Sequence, residues 1–383
     1  MKNFPTVLKP PVLPLIFLTF LFISIPASAQ FDERPWWYNL EEGKLLFRNG
    51  AYGDALIAFE NARRGRLAQF TRIEQDFIRL LSVPDVRRLG DSLDFIEQYI
   101  AVRGETASAA ALAYLFHHVS RESLGGSANR ALEALDRLKS FPEAEFWLGE
   151  TYRAEGELSL ALRQYETAWN ERALLQAPGF EVEILYRITD IHRIRQEYQE
   201  MERRANEIIT GLGPSGVPRD ELWNQTALRA AMARLLDTEG VHRFLSLYRH
   251  NNTVTERAHR LLGFFYQATN RHIPAAEHLM FAFLIQNTVL IDDIIRRQPG
   301  FIFTTLDDLT GRAFSRTDLA EFMEETEYYR TVFFLSSALH ATGRTVPAMQ
   351  LWAFLAGSAR AGVWGERARR NPVPYIEPAI ELP

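Results

Sequence analysis

The amino-acid sequence predicts an all-α protein built from short helices that pack in pairs. Apolar residues recur three and four positions apart in nearly every stretch between turn signals, which is the period of a helix. Sustained alternation of apolar and polar residues, the pattern of a strand, is hard to find. Turn signals such as Asn49-Gly50, Glu155-Gly156 and Thr342-Gly343 recur at intervals that suit helices of about ten to fifteen residues.

Residues 1–29 are expected to be a secretory signal peptide. Two lysines precede an apolar run from Val12 to Ile25, and Pro26-Ala27-Ser28-Ala29 then offers small residues to a signal peptidase. We therefore predict cleavage before Gln30 and export to the periplasm, with secretion as the alternative. The apolar run has about fifteen residues, whereas a membrane-spanning helix needs about twenty. No later run is expected to span a membrane, so no transmembrane anchor is expected after cleavage.

The composition of the mature chain excludes several classes of protein. About 354 residues follow the signal, which favours two or three domains or an elongated array over one compact core. The sequence has no cysteine, so disulfide frameworks, thiol catalysis and thiolate metal sites are excluded. The mature chain carries 41 basic against 48 acidic residues, a balance that gives no electrostatic footprint for nucleic acid.

Two segments of the chain align with each other without a gap. Asn39 to Ala62 and Glu145 to Ala168 share a glycine on the first predicted helix, a glycine in the turn, and an alanine, aromatic, alanine series on the second helix. The residues assigned to helix packing in the first segment are Gly43, Tyr52, Ala55, Phe59 and Ala62. Those assigned in the second segment are Gly149, Tyr152, Ala161, Tyr165 and Ala168.

The spacing of this series explains how two helices can lie close together. Positions i, i+4 and i+7 share one face of a helix, so two alanines beside one large residue make a shallow face with a single knob. Weaker copies occur later in the chain, as Met201, Ala205 and Ile208, as Gly263 with Ala275, Leu279 and Ala282, and as Ala348, Trp352 and Leu355. Thr71 to Arg103 and Thr106 to Ser140 each have the length of one further hairpin, which would keep the repeat register continuous.

The series resembles the tetratricopeptide repeat, a helical hairpin of about 34 residues with a small residue where its two helices cross. The resemblance implies an α-α superhelix, a right-handed solenoid of tetratricopeptide-like hairpins. It also implies a concave groove that binds peptides or protein surfaces. A helical array without repeats is the alternative.

The chain is expected to divide where the repeats end. Residues 30–287 would form the tetratricopeptide-like array, and residues 328–370 a C-terminal repeat and cap. Between them, residues 288–327 depart from the pattern and would form either a divergent hairpin or an insertion. Residues 371–383 contain four prolines, which excludes a helix and predicts a tail that is either disordered or docked in a groove.

Two groups of residues are candidates for binding a partner. A basic group on one predicted hairpin could line a groove that grips an acidic tail through charge-assisted hydrogen bonds; it comprises Arg193, Arg195, Arg203 and Arg204. An aromatic group follows a Pro-Gly turn and could present an apolar patch; it comprises Phe301 and Phe303.

Motifs for catalysis and for cofactors are weak. The segment Gly211 to Gly216 matches the letters of a dinucleotide fingerprint, but it follows a helix instead of a strand, and Pro214 removes an amide from the loop. We therefore expect a linker there. His272 and His278 flank a turn and are expected at the surface or its boundary. No catalytic residue, metal ligand or cofactor site is assigned.

Export, repeats and the lack of catalytic motifs together favour a periplasmic adaptor or scaffold, and not an enzyme. Its partners would be other proteins or peptides of the cell envelope, in a secretion, cell-wall or periplasmic flagellar-collar assembly. One alternative is a helical-solenoid domain of a cell-wall enzyme, which would need a glutamate-serine pair in a compact downstream domain. The other is a small-ligand binding protein with an aromatic pocket near Phe301 to Phe314.

Overall fold

The computed structural model describes residues 34–81, 133, 135–211 and 220–370. The predicted signal peptide, the Pro-rich tail and most of the predicted hairpins Thr71 to Arg103 and Thr106 to Ser140 lie outside these residues. The described part is about 83% helical and contains no strand, which confirms the predicted all-α class.

Ten of the described helices form five hairpins. In chain order these are α1 (Trp36–Arg48) with α2 (Tyr52–Leu81), α3 (Pro142–Ala154) with α4 (Leu158–Asn170), α5 (Phe180–Ile194) with α6 (Tyr198–Thr210), α9 (Thr253–Ala268) with α10 (His272–Arg297), and α13 (Tyr328–Ala341) with α14 (Thr345–Gly357). The other α-helices are α7 (Glu221–Asn224), α8 (Thr226–Leu247), α11 (Leu306–Phe314), α12 (Thr317–Glu325) and α15 (Gly362–Arg370).

All five hairpins turn in the same way. Three residues join the two helices, and the middle one has a left-handed backbone with φ between 57° and 84°; these residues are Gly50, Gly156, Gln196, Asn270 and Gly343. The amide of the next residue donates to a carbonyl five positions back, at 2.8–3.0 Å, as between Glu157 and Tyr152. This pattern is the Schellman ending of a helix, which satisfies carbonyls that the helix leaves unpaired.

The two helices of a hairpin cross where the first helix carries a glycine. A Cβ atom on Gly43 would lie 2.5 Å from Phe59 Cε1, and one on Gly149 would lie 2.6 Å from Tyr165 Cε1. A Cβ atom on Gly263 would likewise lie 2.4 Å from Leu279 Cγ. In each pair the large residue follows its glycine by sixteen positions. The alanines beside it are fully buried: Ala55, Ala62, Ala161, Ala168, Ala275 and Ala282.

The remaining two hairpins carry other small residues at the crossing. Thr189 and Ser336 are buried and stand sixteen residues before Ala205 and Trp352. Their hydroxyls donate to carbonyls of their own helices, Thr189 to Leu185 at 2.7 Å and Ser336 to Phe333 at 2.6 Å. Because each hydroxyl has a hydrogen-bond partner in its own helix, it can be buried at a helix crossing and leaves no polar group unpaired. Ala348 is fully buried and Trp352 nearly so.

The first hairpin packs directly on the second, which corrects the expected register. Phe59 stacks on Trp147 with 6.0 Å between ring centroids, and Arg63 Nη1 lies 3.3 Å from Glu145 Oε1. Tyr52 and Tyr152 are half-buried beside this contact. Among the residues that the structure describes, no further hairpin stands between the two, and Thr71 lies inside the thirty-residue helix α2. Repeat lengths counted along the chain therefore do not give the positions of these two hairpins in the stack.

The boundary expected at residues 287/288 falls within a helix. Helix α10 runs through it without interruption as far as Arg297. The two nine-residue helices α11 and α12 then form a small separate pair before α13 begins. At the C-terminal end, α15 packs on the last hairpin, where Trp364 contacts Phe333 and Phe334 at 5.3 and 5.6 Å between centroids.

Helix α8 lies outside the series of hairpins and packs against α14 and α10. It bends at Gly240, whose backbone is left-handed with φ 80°. The amide of Val241 is consequently free of the helix ladder, and it donates to Gln350 Oε1 at 2.9 Å.

Contrary to the sequence reading, α10 has the length and apolar composition of a membrane-spanning helix. It is the one such helix among the residues described. Of its most apolar stretch of 18 residues, 83% is buried inside the protein. Burial of this kind is typical of a core helix in a globular array.

Candidate functional site

The first helices of the hairpins share one partly exposed face. We call it the first-helix face and define it by the side chains of Lys44, Trp147, Glu150, Arg187, Asp190 and Arg257. Contacts between side chains join each first helix to the next along this face. Lys44 Nζ lies 6.0 Å from the ring centre of Trp147, and Glu150 Oε1 accepts from Arg187 Nε at 2.7 Å. Asp190 pairs with Arg257. The series ends with Arg260 of α9 and Glu327, the residue just before α13, which are 3.6 Å apart.

The positions of these contacts repeat with the hairpins. Lys44, Glu150 and Asp190 each come directly after the small residue at the helix crossing, Gly43, Gly149 or Thr189. Trp147 and Arg187 also occupy equivalent positions of their helices. In the first three hairpins this position therefore carries the charged side chain that reaches the next first helix, whereas the last two hairpins have Phe264 and Ser337 there.

Glu150 is the most enclosed charge on the first-helix face. Its carboxylate accepts from the hydroxyl of buried Tyr165 and from Arg153 and Arg187. Burial alone would raise the pKa of Glu150, but the hydroxyl and the two guanidinium groups outweigh it and lower the pKa. Burial and the adjacent carboxylate raise the pKa of Tyr165. Glu150 therefore stays ionised and holds two hairpins together.

The predicted basic group does not form an unpaired positive surface. Its four arginines have ion-pair partners at most four residues away, Arg193 with Asp190, Arg195 with Glu197, Arg203 with Glu200 and Glu207, and Arg204 with Glu207. Acidic residues within one helical turn of each arginine supply these partners. Binding of an acidic tail by this group stays a prediction.

The predicted aromatic group is also placed differently from the expectation. Phe301 lies under the guanidinium of Arg312 at 5.0 Å, and Phe303 faces His242 at 6.3 Å between ring centroids. Both rings are half-buried against the core. The exposed apolar side chain of the segment is Ile302, at 79%.

A buried polar cluster, which the sequence reading missed, joins α7 to the hairpin α9–α10. Its members are Asp220, His250, Thr255, His259 and His278, all at most 9% exposed. Asp220 Oδ2 accepts from His250 Nε2 at 2.8 Å and from the Thr255 hydroxyl at 3.0 Å. His259 Nε2 lies 3.5 Å from the same oxygen. We call this set the histidine cluster.

The contacts of the histidine cluster determine where its protons lie. His259 Nδ1 and His278 Nδ1 are 3.0 Å apart, so one must donate and the other accept. His259 points Nε2 at a carboxylate, which favours a proton there and leaves Nδ1 as the acceptor. His278 then donates from Nδ1. Burial lowers the pKa of both imidazoles, so both are neutral at pH 7.

The role of the histidine cluster that follows from these contacts is mechanical. Asp220 Oδ1 accepts from the backbone amide of Trp223 at 2.9 Å and so caps α7. The Trp223 ring covers His278 at 4.3 Å and His259 at 4.8 Å. Within the described ranges, no group of three or more acidic or histidine side chains is arranged to hold a metal ion.

A signal for the buried histidines was present in the sequence. His278 falls in the series Ala275, His278, Leu279 and Ala282, which is one face of a helix. Placing it at the surface was wrong because proximity to the turn was weighted above this periodicity. Asp220 gave a weaker signal, since capping acids are common on exposed helices as well.

Comparisons with known proteins give relatives but no family. The chain is 25% identical over 332 residues to a protein of Treponema pallidum (strain Nichols), a match covering 87% of this chain and 88% of that protein. It is 20% identical over 236 residues to a protein of Borreliella burgdorferi, covering 58% and 73%. Both carry the name "Uncharacterized protein". No family model matches the chain, and no solved structure matches it.

Proposed function

We propose that this protein is a periplasmic adaptor that binds envelope proteins on its first-helix face. The observation that carries the proposal is the identical construction of five hairpins, with the same left-handed turn and a small residue at each helix crossing. Stacked hairpins of this kind are the units of tetratricopeptide solenoids, in which each repeat contacts its neighbours and the stack offers one extended face. We therefore propose a tetratricopeptide-type superhelix.

The chemistry of the first-helix face supports a protein as the partner. The face offers an aromatic ring, Trp147, among side chains of both charges that are already paired with one another. Mixed charges favour orientation and specificity in a protein interface, whereas one sign of charge would favour a polyanion or polycation. The affinity would come from buried apolar and aromatic groups.

Export is the second part of the proposal and rests on the sequence of residues 1–29. A fusion of these residues to alkaline phosphatase, which is active only outside the cytoplasm, tests it. We expect activity for the native segment and none when Leu18 and Leu21 are replaced by arginine, because charges in the apolar run block export. Equal activity of the two fusions would argue against a signal peptide.

The assembly to test first is the periplasmic flagellar collar. Secretion and cell-wall assemblies are the other candidates for an exported adaptor. Both relatives come from spirochaetes, the group in which the collar occurs, and this origin favours the collar among the three.

Crosslinking in the envelope, followed by affinity capture and mass spectrometry, tests the adaptor role. We expect one or a few envelope proteins in stoichiometric amounts. Arg257→Glu reverses a charge on the first-helix face and should reduce their recovery. Arg163→Glu makes the same change at an exposed residue of the second helix α4 and should not. Equal recovery with both variants would place the binding surface elsewhere, and hydrolysis of cell-wall glycan by the purified protein would contradict the adaptor role.

A further inference from the structure

A cleft of about 380 Å³ lies between α8 and α10, next to the start of α14. Its volume is within the range that small-molecule sites occupy. The floor is apolar, with Met280 and Phe281 from α10 and two alanines from α8. The rim is charged and carries Arg229, Arg234, Asp237, Glu277 and Arg344. The cleft is lined by second helices and by α8, so it is separate from the first-helix face.

Two polar atoms on the rim are buried without a hydrogen-bond partner in the described part of the chain. They are Arg229 Nε, a donor, and Asp237 Oδ1, an acceptor. Leaving such a group unsatisfied costs about 1–3 kcal/mol. A ligand that brings an acceptor to the arginine and a donor to the aspartate would remove both costs. A ligand with both kinds of group would therefore complement the rim.

The orientation of Arg229 is fixed in advance. Its guanidinium lies 4.4 Å from the ring centre of Trp223, the residue that covers the histidine cluster. Its ion pair with Glu277 is long, at 3.9 Å. Arg229 thus keeps hydrogen-bonding capacity toward the cleft while stacking holds its plane, and an anchored arginine loses little entropy when it binds a carboxylate.

The charges of the rim identify the class of ligand. Three arginines stand against two carboxylates, and Arg234 is exposed and forms no ion pair with any described residue. One additional negative charge would balance the rim, as a carboxylate provides and a phosphate dianion exceeds. Asp237 Oδ2 pairs with Arg344 Nε at 3.3 Å, and its unpaired Oδ1 suits an ammonium or amide donor on the same ligand. The apolar floor suits a short aliphatic side chain.

We propose that the cleft binds the carboxyl terminus of a peptide. The carboxylate would lie between Arg229 and Arg234, with the amino or amide group of the terminal residues toward Asp237 and Glu277. A free dipeptide and the end of a partner protein offer the same chemistry. This site is independent of the adaptor proposal, because its residues are not on the first-helix face.

Isothermal titration of the full chain with alanyl-leucine tests the site. We expect saturable one-to-one binding that weakens about tenfold or more when the carboxylate is blocked as the amide, the loss expected for one charge-assisted hydrogen bond. Arg234→Glu should weaken binding by a similar factor, and Arg163→Glu should leave it unchanged. Both arginines are exposed, so neither variant should unfold the protein.

Three results would overturn the site, and one further comparison distinguishes its two sources. The contrary results are no saturable binding up to about 10 mM, equal binding of the amide, or equal binding by Arg234→Glu. A ten-residue peptide ending in Ala-Leu that binds at least as tightly as the dipeptide would assign the site to the end of a partner protein. Binding of the dipeptide alone would assign it to free peptides.

Discussion

Tyr165 occupies the space that a side chain at position 149 would need. A Cβ atom on Gly149 would lie 2.6 Å from Tyr165 Cε1, closer than packed carbon atoms approach. The hairpin α3–α4 therefore depends on the absence of a side chain at its crossing. The pairs Gly43–Phe59 and Gly263–Leu279 repeat the relationship.

Gly149→Leu should destabilise the protein by about 1–3 kcal/mol, because the added side chain must displace a buried ring. The measurement is the free energy of unfolding in urea. Gly53→Leu is the control, since Gly53 lies in the first turn of α2 with open space around it. There the better helix propensity of leucine should stabilise slightly. A Gly149→Leu protein as stable as the native chain would contradict the crossing.

Glu150→Gln should cost about 2 kcal/mol at pH 7, because it removes charge-assisted hydrogen bonds from two arginines and a tyrosine. Glu155→Gln, in the turn after α3, is the control and should have no measurable effect. The pKa of Glu150 is lowered by folding. The stabilisation is therefore complete above the ordinary value of 4.5 and is lost as the pH falls below it. Both proteins should consequently converge in stability in acid.

The histidine cluster predicts a loss of stability at mildly acidic pH. Folding lowers the pKa of His259 and His278 below 6.5, so the unfolded chain takes up their protons first. The stability from these neutral imidazoles is complete above pH 6.5 and falls by at most about 1.4 kcal/mol per pH unit for each histidine below it. Urea midpoints at pH 8 and pH 5 measure the effect.

His278→Phe should reduce this acid sensitivity, since a phenyl ring takes no proton. Its stability will be lower at pH 8 because the bond to His259 is lost, so the informative quantity is the difference between the two pH values. His340→Phe is the matched control, because His340 lies outside the cluster on α13. An unchanged pH difference in His278→Phe would show that other groups cause the acid loss.

Gln196→Gly should stabilise the protein by about 1 kcal/mol. Gln196 has φ 59°, a conformation that costs a residue with a side chain about 1–2 kcal/mol. The other turns with glycine avoid this cost. Gly156→Gln, the reverse change in the equivalent turn, should destabilise by a similar amount. The two melting temperatures should therefore shift in opposite directions, and a shift of the same sign would contradict the equivalence of the turns.

The helical class and the helix crossings could be predicted because they depend on local patterns. Gly43 and Gly149 stand sixteen residues before a large residue, and one alignment of two segments finds both. The turns at Gln196 and Asn270 were missed. Asn270 did carry a signal, because asparagine as well as glycine favours the left-handed conformation, whereas glutamine at position 196 carries none. The neighbouring positions of the first two hairpins were beyond such reasoning, because contact between Phe59 and Trp147 has no signal in the spacing of repeats.

The candidate sites were harder to predict than the fold. Arginine clusters are easily found in a sequence. Whether an arginine is available to a partner depends on acidic residues one helical turn away, such as Glu200 and Glu207 for Arg203. The histidine cluster and the cleft each combine residues more than fifty positions apart, such as Asp220 with His278 and Arg229 with Arg344. Only the packing of α7 and α8 on later hairpins brings them together.

The described helices α7, α8, α11 and α12, which belong to none of the five hairpins, lie between hairpins and not within them. Within the described residues, α7 and α8 lie between α6 and α9, and α11 and α12 lie between α10 and α13. The three-residue turns inside the hairpins carry none. New material thus emerges from the open ends of hairpins, where the stack can accept it without disturbing a helix crossing. A stack of hairpins can therefore gain a new binding surface at each connection between hairpins while its core packing stays constant.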